Sequence, residues 1–227
     1  MNRQTDGMMG RWTVVALAVF VLPSFQRSIV LQDPGPILDR ASRSYDSVRT
    51  LQADFIQIVD NPMIGGPDTT RGKLFQRRPS FFAMRFTDPK NDRVVADGHR
   101  LWLYTPSSTP GQVIRTAIPG TGTTGPNLIG QFVEHPRERY DAQYVRADSL
   151  TDGVVDVIAL TPRATDLPYT RATVWLSSKD RLVRRIDIEE TTGQNRTIIL
   201  RNVSVNRNIP TREFRFSPPA GSRVVDQ

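Results

Sequence analysis

The chain has 227 residues, 38% hydrophobic and 23% charged, with no cysteine and a net charge of +7. That length builds a substantial core and is most simply one domain, while the missing thiols exclude disulfides, cysteine nucleophiles, thiolate metal sites and lipid attachment through cysteine. The arginines are scattered along the chain without a basic stripe interleaved with aromatics, which argues against a nucleic-acid module and for a solvated surface biased towards acidic partners.

Arg3 and Arg11 bracket a polar start, and residues 12–22 form an apolar run. The run is shorter than the ~20 residues of a membrane span and fits the core of a secretory signal. Residues 1–26 are therefore expected to be a signal peptide; no A-x-A follows to mark its cleavage, and a retained anchor or a buried helix are the alternatives. Residues 27–35 read as a linker. Pro36 suits the first turn of a helix, and Ile37, Leu38, Ala41, Tyr45 and Val48 recur at helical spacing, predicting an amphipathic helix over 36–50.

Strand patterns follow at 51–59, 69–77, 80–87, 92–97, 100–105 and 112–118, with Asp97-Gly98 as a hairpin turn. Residues 61–67 and 119–126 read as loops. Pro126 opens a short helix predicted at 127–134, apolar at Leu128, Ile129, Phe132 and Val133. Strands resume at 138–146, 154–161, 170–177, 181–190 and 195–206, and residues 214–221 read as an extended tail stopped by prolines. There is no repeat and no βαβ alternation. Short links between successive strands predict one strongly curved antiparallel sheet with neighbours paired in order, the helix lying in its concavity.

Little here supports catalysis. Residues 120–125 match G-x-G-x-x-G, but a dinucleotide site needs a parallel βαβ unit, and this antiparallel context makes the segment a glycine loop. His99 and His135 are the only histidines, too few for a metal site without cysteine, and G-x-S-x-G is absent. Asp187, Glu189 and Glu190 read as a solvent face. No catalytic residue, metal or cofactor is expected.

Two segments carry more information. Residues 74–86 and 94–106 are apolar strand patterns broken once, at Arg78-Pro79-Ser80 and at Asp97-Gly98-His99. Phe82, Met84 and Phe86, at spacing two, share one side of a strand. On periodicity alone they fill a core; with no reactive group beside them, a surface that holds something apolar is the second reading. Alternation sends Arg77 and Arg78 to opposite faces. Arg77 reads as a surface residue, whereas an inward Arg78 needs acceptors, such as the carbonyls of a helix end.

At these residues the chain resembles the periplasmic outer-membrane lipoprotein carriers, the LolA-like family. The similar segments are residues 51–57, 72–79, 95–106, 160–163 and 214–221, in the family's order. The resemblance implies a mainly β fold with some α, an unclosed antiparallel half-barrel with helices covering the concave face, over a single carrier domain at 36–227. It implies a periplasmic, monomeric chaperone without enzymatic activity that binds lipoprotein acyl chains and carries them from the inner to the outer membrane. The implied partners are triacylated lipoproteins, the inner-membrane lipoprotein-releasing ABC transporter and an outer-membrane lipoprotein receptor. The implied cavity is lined by Phe82, Met84, Phe86, Val95, Leu101, Leu103, Tyr45, Leu128, Ile129 and Phe132. Arg78 would be the latch, bonding carbonyls of a lid around residues 128–133. A Gly/Thr/Pro-rich lid loop and Tyr45 in place of an aliphatic residue depart from the family pattern. The same fold serves lipid-carrying lipoproteins, which the missing cysteine argues against, and an envelope-stress sensor domain, which needs a further carboxy-terminal domain beyond what 227 residues accommodate. A periplasmic lipid shuttle or such a sensor is the alternative reading.

Overall fold

The computed structural model describes residues 32–63, 65–119 and 125–227. The expected signal at 1–26, part of the linker and most of the glycine loop lie outside the described residues.

Helix α1 spans Gly35–Asp46, entered through Pro34 and Pro36, and buries Ile37, Leu38, Ala41 and Tyr45 along one stripe. It stops earlier than the predicted 36–50. The Val48 amide closes a tight turn onto the Tyr45 carbonyl at 2.9 Å, and Thr50 already pairs with Arg77. Six strands follow: β1 (Thr50–Asp60), β2 (Asp68–Arg77), β3 (Phe81–Asp88), β4 (Lys90–Asp97), β5 (Arg100–Tyr104) and β6 (Gln112–Ala117). The β4–β5 turn shows the chemistry of its Asp-Gly pair: Gly98 has φ +96°, and the Asp97 carboxylate accepts the His99 and Arg100 amides at 2.9 and 2.8 Å.

Two short helices, α2 (Gly130–Val133) and α3 (Pro136–Arg139), lead into β7 (Tyr140–Leu150), β8 (Gly153–Pro162), β9 (Tyr169–Ser177), β10 (Val183–Glu190) and β11 (Asn195–Val205). The predicted 127–134 helix is thus one turn of α-helix preceded by hydrogen-bonded turns. A 3-10 turn at Thr211–Phe214 and a last strand, β12 (Arg223–Asp226), complete the chain.

The twelve strands of the described residues form one sheet, ordered β12-β6-β5-β4-β3-β2-β1-β11-β10-β9-β8-β7. Its ends, β12 and β7, do not pair with each other, so the sheet is unclosed. Pairing in order holds within β1–β6 and within β7–β11. The two meanders join in the middle through β1 and β11, antiparallel from Leu51–Val205 to Asp60–Asn195. Two features depart from the expected all-antiparallel sheet. The tail does not end extended but returns as β12, and β12 pairs parallel with β6. Four residues after a proline-containing tail are too short a signal for periodicity to detect.

Strand alternation gives the sheet two apolar faces. The larger cluster joins Leu51, Phe55, Leu74, Phe82, Met84 and Leu101 with Ile158, Val174, Ile186 and Ile198, and includes the buried side of α1 together with Leu128, Ile129, Phe132 and Val133. The other face carries Ala83 and Val95, covered by Ile209 and Phe214, with Phe75, Phe81, Trp102 and Phe216 packed around them. One chain segment explains the first cover: β6 and β7 lie towards opposite edges, and residues 125–139, which precede β7, lie across a face between them.

Candidate functional site

The helix-covered face brings together most of the expected cavity residues. Phe82, Met84 and Leu101 are 1–3% exposed, Tyr45 is 2% exposed, and Leu128, Ile129 and Phe132 are 0–2% exposed, all in one cluster. Phe86 and Leu103 are partly buried against it. The Phe86 ring meets Phe55 edge-on, with centroids 5.1 Å apart. Gly72 is required by close approach on β2: a Cβ there would lie 2.1 Å from the Arg85 carbonyl oxygen and 2.8 Å from the Phe55 ring.

Val95 is a correction. Its neighbours Val94 and Ala96 join the helix-covered face, and Val95 itself packs with Ala83 and Phe214 on the opposite one. Residues at odd spacing on one strand cannot share a face.

Arg78 sits just past β2, where its guanidinium spans two elements. Nη1 donates to the Tyr45 carbonyl at 3.0 Å, at the carboxyl end of α1, where a cation also complements the helix dipole. Nη2 donates to Glu134 Oε1 at 2.5 Å, immediately after α2. The guanidinium also lies over the Tyr45 ring, 4.8 Å from its centroid. The helix-end carbonyl matches the acceptor that the residue pattern called for. On the lid side the partner is a carboxylate and not a carbonyl.

The hydrogen bond to a lid carbonyl belongs to Gln76. Its Nε2 donates to the Pro126 carbonyl at 2.7 Å and to the Tyr45 hydroxyl at 3.0 Å, and the residue is only 3% exposed. Sequence reasoning missed it. A lone glutamine inside an apolar strand was the available signal, because a buried amide must find partners. Burial, first among the causes, pushes the Tyr45 phenol up to about 12, outweighing the Gln76 hydrogen bond and the Arg78 charge that lower it. Next to this group lies a cavity of about 400 Å³, lined by Tyr45, Gln76, Arg78, Pro126, Asn127 and Glu134 among others.

At its other end the crossing segment is held by tyrosines. Tyr140 donates to the Gln131 carbonyl at 2.8 Å, and its hydroxyl lies 2.7 Å from that of Tyr169. The Phe132 ring packs against both, at 6.3 and 5.6 Å between centroids.

Arg77 corrects the expectation of a free surface residue. It donates to the Ile209 carbonyl and stacks over Phe214, 5.0 Å from the ring centroid, on the opposite face from Phe82. Among the described residues there is no cluster of His, Cys, Asp and Glu arranged to hold a metal.

The family described as "Outer membrane lipoprotein carrier protein LolA" matches residues 46–217. A protein named outer-membrane lipoprotein carrier protein from Alkalilimnicola ehrlichii is 24% identical over 185 residues, 82% of this chain and 81% of its own. One of the same name from Albidiferax ferrireducens is 28% identical over 188 residues, covering 80% of this chain and 86% of that protein. Among solved structures, the Pseudomonas aeruginosa MucA/MucB complex superposes with a TM-score of 0.51 at 14% identity, over 86% of this chain and 64% of the other; this likeness concerns the fold alone.

Proposed function

From the premise that this chain belongs to the outer-membrane lipoprotein carrier family LolA, we propose that it is a periplasmic chaperone carrying lipoproteins from the inner to the outer membrane. Residues 1–26 direct its export, and residues 36–227 form the carrier domain. The cargo is the acyl chains of triacylated lipoproteins, received from the inner-membrane lipoprotein-releasing ABC transporter and passed to an outer-membrane receptor. The protein acts as a monomer and not as an enzyme.

The observation that supports this reading is the composition of the helix-covered face. Sheet, α1 and the 125–139 segment contribute to one apolar cluster, yet the cover is fastened to β2 by a few polar contacts of Gln76 and Arg78. We take this face to be the concave one. An acyl chain gains about 25 cal/mol per Å² of apolar surface removed from water, so a chain that displaces the cover needs no external energy to enter. Release is assisted because the cover, through Leu128 and Ile129, returns to the same surface. Phe82, Met84, Phe86, Leu101, Leu103 and Tyr45 line the cavity so exposed, and Met84 supplies an adaptable contact.

Arg78 is the latch. Its charge-assisted bonds favour the closed state by about 1.5–3 kcal/mol, which corresponds to a roughly ten- to hundredfold shift in the closed-to-open ratio. Arg78→Leu is expected to load lipoprotein but pass it on slowly, Arg78→Lys to be intermediate for lack of the planar fork, and Glu134→Gln to reproduce part of the defect. The assay is transfer from loaded carrier to outer membranes, with the exposed Arg171→Leu as the control. Transfer by Arg78→Leu at the parent rate would sink the latch.

A sensor domain of the same fold is the second reading, and a general lipid shuttle is the third. Native mass spectrometry of protein from the periplasm separates them. Bound triacylated lipoprotein supports the carrier, free phospholipid a shuttle, and neither a sensor.

A further inference from the structure

The cover is fastened at both ends, and the two fastenings differ in kind. On the β2 side, the Arg78–Glu134 pair is 27% and 28% exposed and adjoins the cavity of about 400 Å³, which Gln76 and Pro126 also line. Water reaching that cavity can replace each polar contact as it breaks, so the exchange costs little. On the far side, Tyr140 and Tyr169 are 1% and 2% exposed and carry no net charge. Burial pushes both phenols up, holding them neutral. Separating α2 from them removes a buried bond from the Gln131 carbonyl and parts Phe132, itself 0% exposed, from two rings. A second cavity, about 340 Å³, lies beside Tyr140 but is bounded by α1, α3 and β7, and none of residues 125–134 lines it.

We infer that the Tyr140–Tyr169 pair is the pivot of the cover: α2 stays docked on β7 and β9 while its Pro126–Ile129 side swings away from β2. This rests on the carrier reading for its consequence. Acyl chains then occupy the half of the apolar face built from β1–β6, and the β7–β9 half stays filled by Phe132. Tyr140 and Tyr169 are positioning residues: they set where the cargo goes through the segment they hold.

The test uses the full exported chain with photo-crosslinking side chains at Leu103 on β5 and Ala142 on β7, both partly buried positions facing this cluster. With a synthetic tripalmitoylated lipopeptide, labelling at 103 is expected to exceed that at 142 at least tenfold. In the Tyr140→Phe/Tyr169→Phe variant, which keeps both rings, the two sites are expected to label within about twofold. Equal labelling in the parent, or unchanged selectivity in the variant, overturns the pivot.

A cargo-free arm separates this from the carrier reading. In hydrogen exchange without lipid, Arg78→Leu is expected to speed amides 127–129 and spare 132–133, and the double phenylalanine variant to speed 132–133 at least tenfold. A pivot pattern in exchange with no lipopeptide bound sinks the carrier and leaves the pivot standing. Uniform acceleration of the whole segment in both variants means a merely structural clamp and overturns the pivot.

Discussion

Both faces of the sheet are apolar and both are covered, but the covers are attached differently. Over Phe82 and Met84 lie α1 and the 125–139 crossing segment, joined to β2 by Gln76 and Arg78 and to β7 and β9 by two tyrosines. Over Ala83 and Val95 lies the segment 209–216, which inserts Phe214 and Phe216 among Phe81, Trp102 and Tyr104 and is tied to Arg77 and Arg85. Beyond it the chain enters the sheet as β12. Lifting this second cover means breaking the Arg77 and Arg85 contacts, parting aromatic rings and then stripping an edge strand. Consecutive arginines thus hold different covers; on the proposed reading, Arg78 holds the one that exchanges with a guest and Arg77 the one that stays. A carrier of the proposed kind needs only one face that opens.

The largest effect expected is on the helix-covered core. Phe82, 1% exposed, replaced by alanine should cost about 3–5 kcal/mol in chemical denaturation. A charge at 82 should prevent folding, because the position is 1% exposed within an apolar cluster. Partly buried Phe86 is the better probe of binding, and Phe86→Asp is expected to fold and to lose lipopeptide affinity. A loss below about 1 kcal/mol for Phe82→Ala would contradict a tightly filled face.

Next comes the alkaline limb. Tyr45 keeps its proton in the folded protein up to about 12, against an ordinary 10.0. A raised phenol pKa stabilises the fold fully below about pH 10, and that contribution disappears as pH rises through about 12. Two pH units correspond to about 2–3 kcal/mol. Tyr140 and Tyr169 are shifted in the same direction and add to the slope. Denaturant midpoints at pH 9 and 11.5 should diverge in the parent and diverge less in Tyr45→Phe, where Tyr140 and Tyr169 keep their share; a slope unchanged by the substitution would mean the Tyr45 phenol is not buried in solution.

Arg77→Leu tests the contrast directly. It should cost about 1–2 kcal/mol, from a lost charge-assisted bond and a cation–π contact, and should speed hydrogen exchange at 209–216. Lipopeptide transfer should not change. Slowed transfer would mean that the two faces are coupled.

The smallest effect concerns β12. The Arg115–Asp226 pair, at 2.6 and 2.7 Å, is solvent-exposed. Asp226→Asn should leave the global midpoint within error and raise exchange only at 223–226. A measurable change in midpoint would make β12 part of the cooperative core.

Local chemistry determined much of this molecule from the sequence alone. Apolar residues at spacing two gave eleven of the twelve strands of the described sheet within a few residues, because alternation is a property of the strand itself. Helical spacing located α1, Asp97-Gly98 its turn, and the quoted motifs the family. Alternation also separated Arg77 from Arg78. Tertiary structure decided what contacts across the sheet decide. That β1 lies beside β11, and that 223–226 pair with β6, depends on partners distant in the chain, which no local pattern encodes. Val95 changed face because face is set by register with neighbouring strands and not by hydrophobicity. Arg77 proved tethered because its acceptor, the Ile209 carbonyl, lies 132 residues away. Gln76, Glu134, Tyr140 and Tyr169 became visible only once the crossing segment was in place, since a polar side chain acquires its meaning from the partner that burial forces on it.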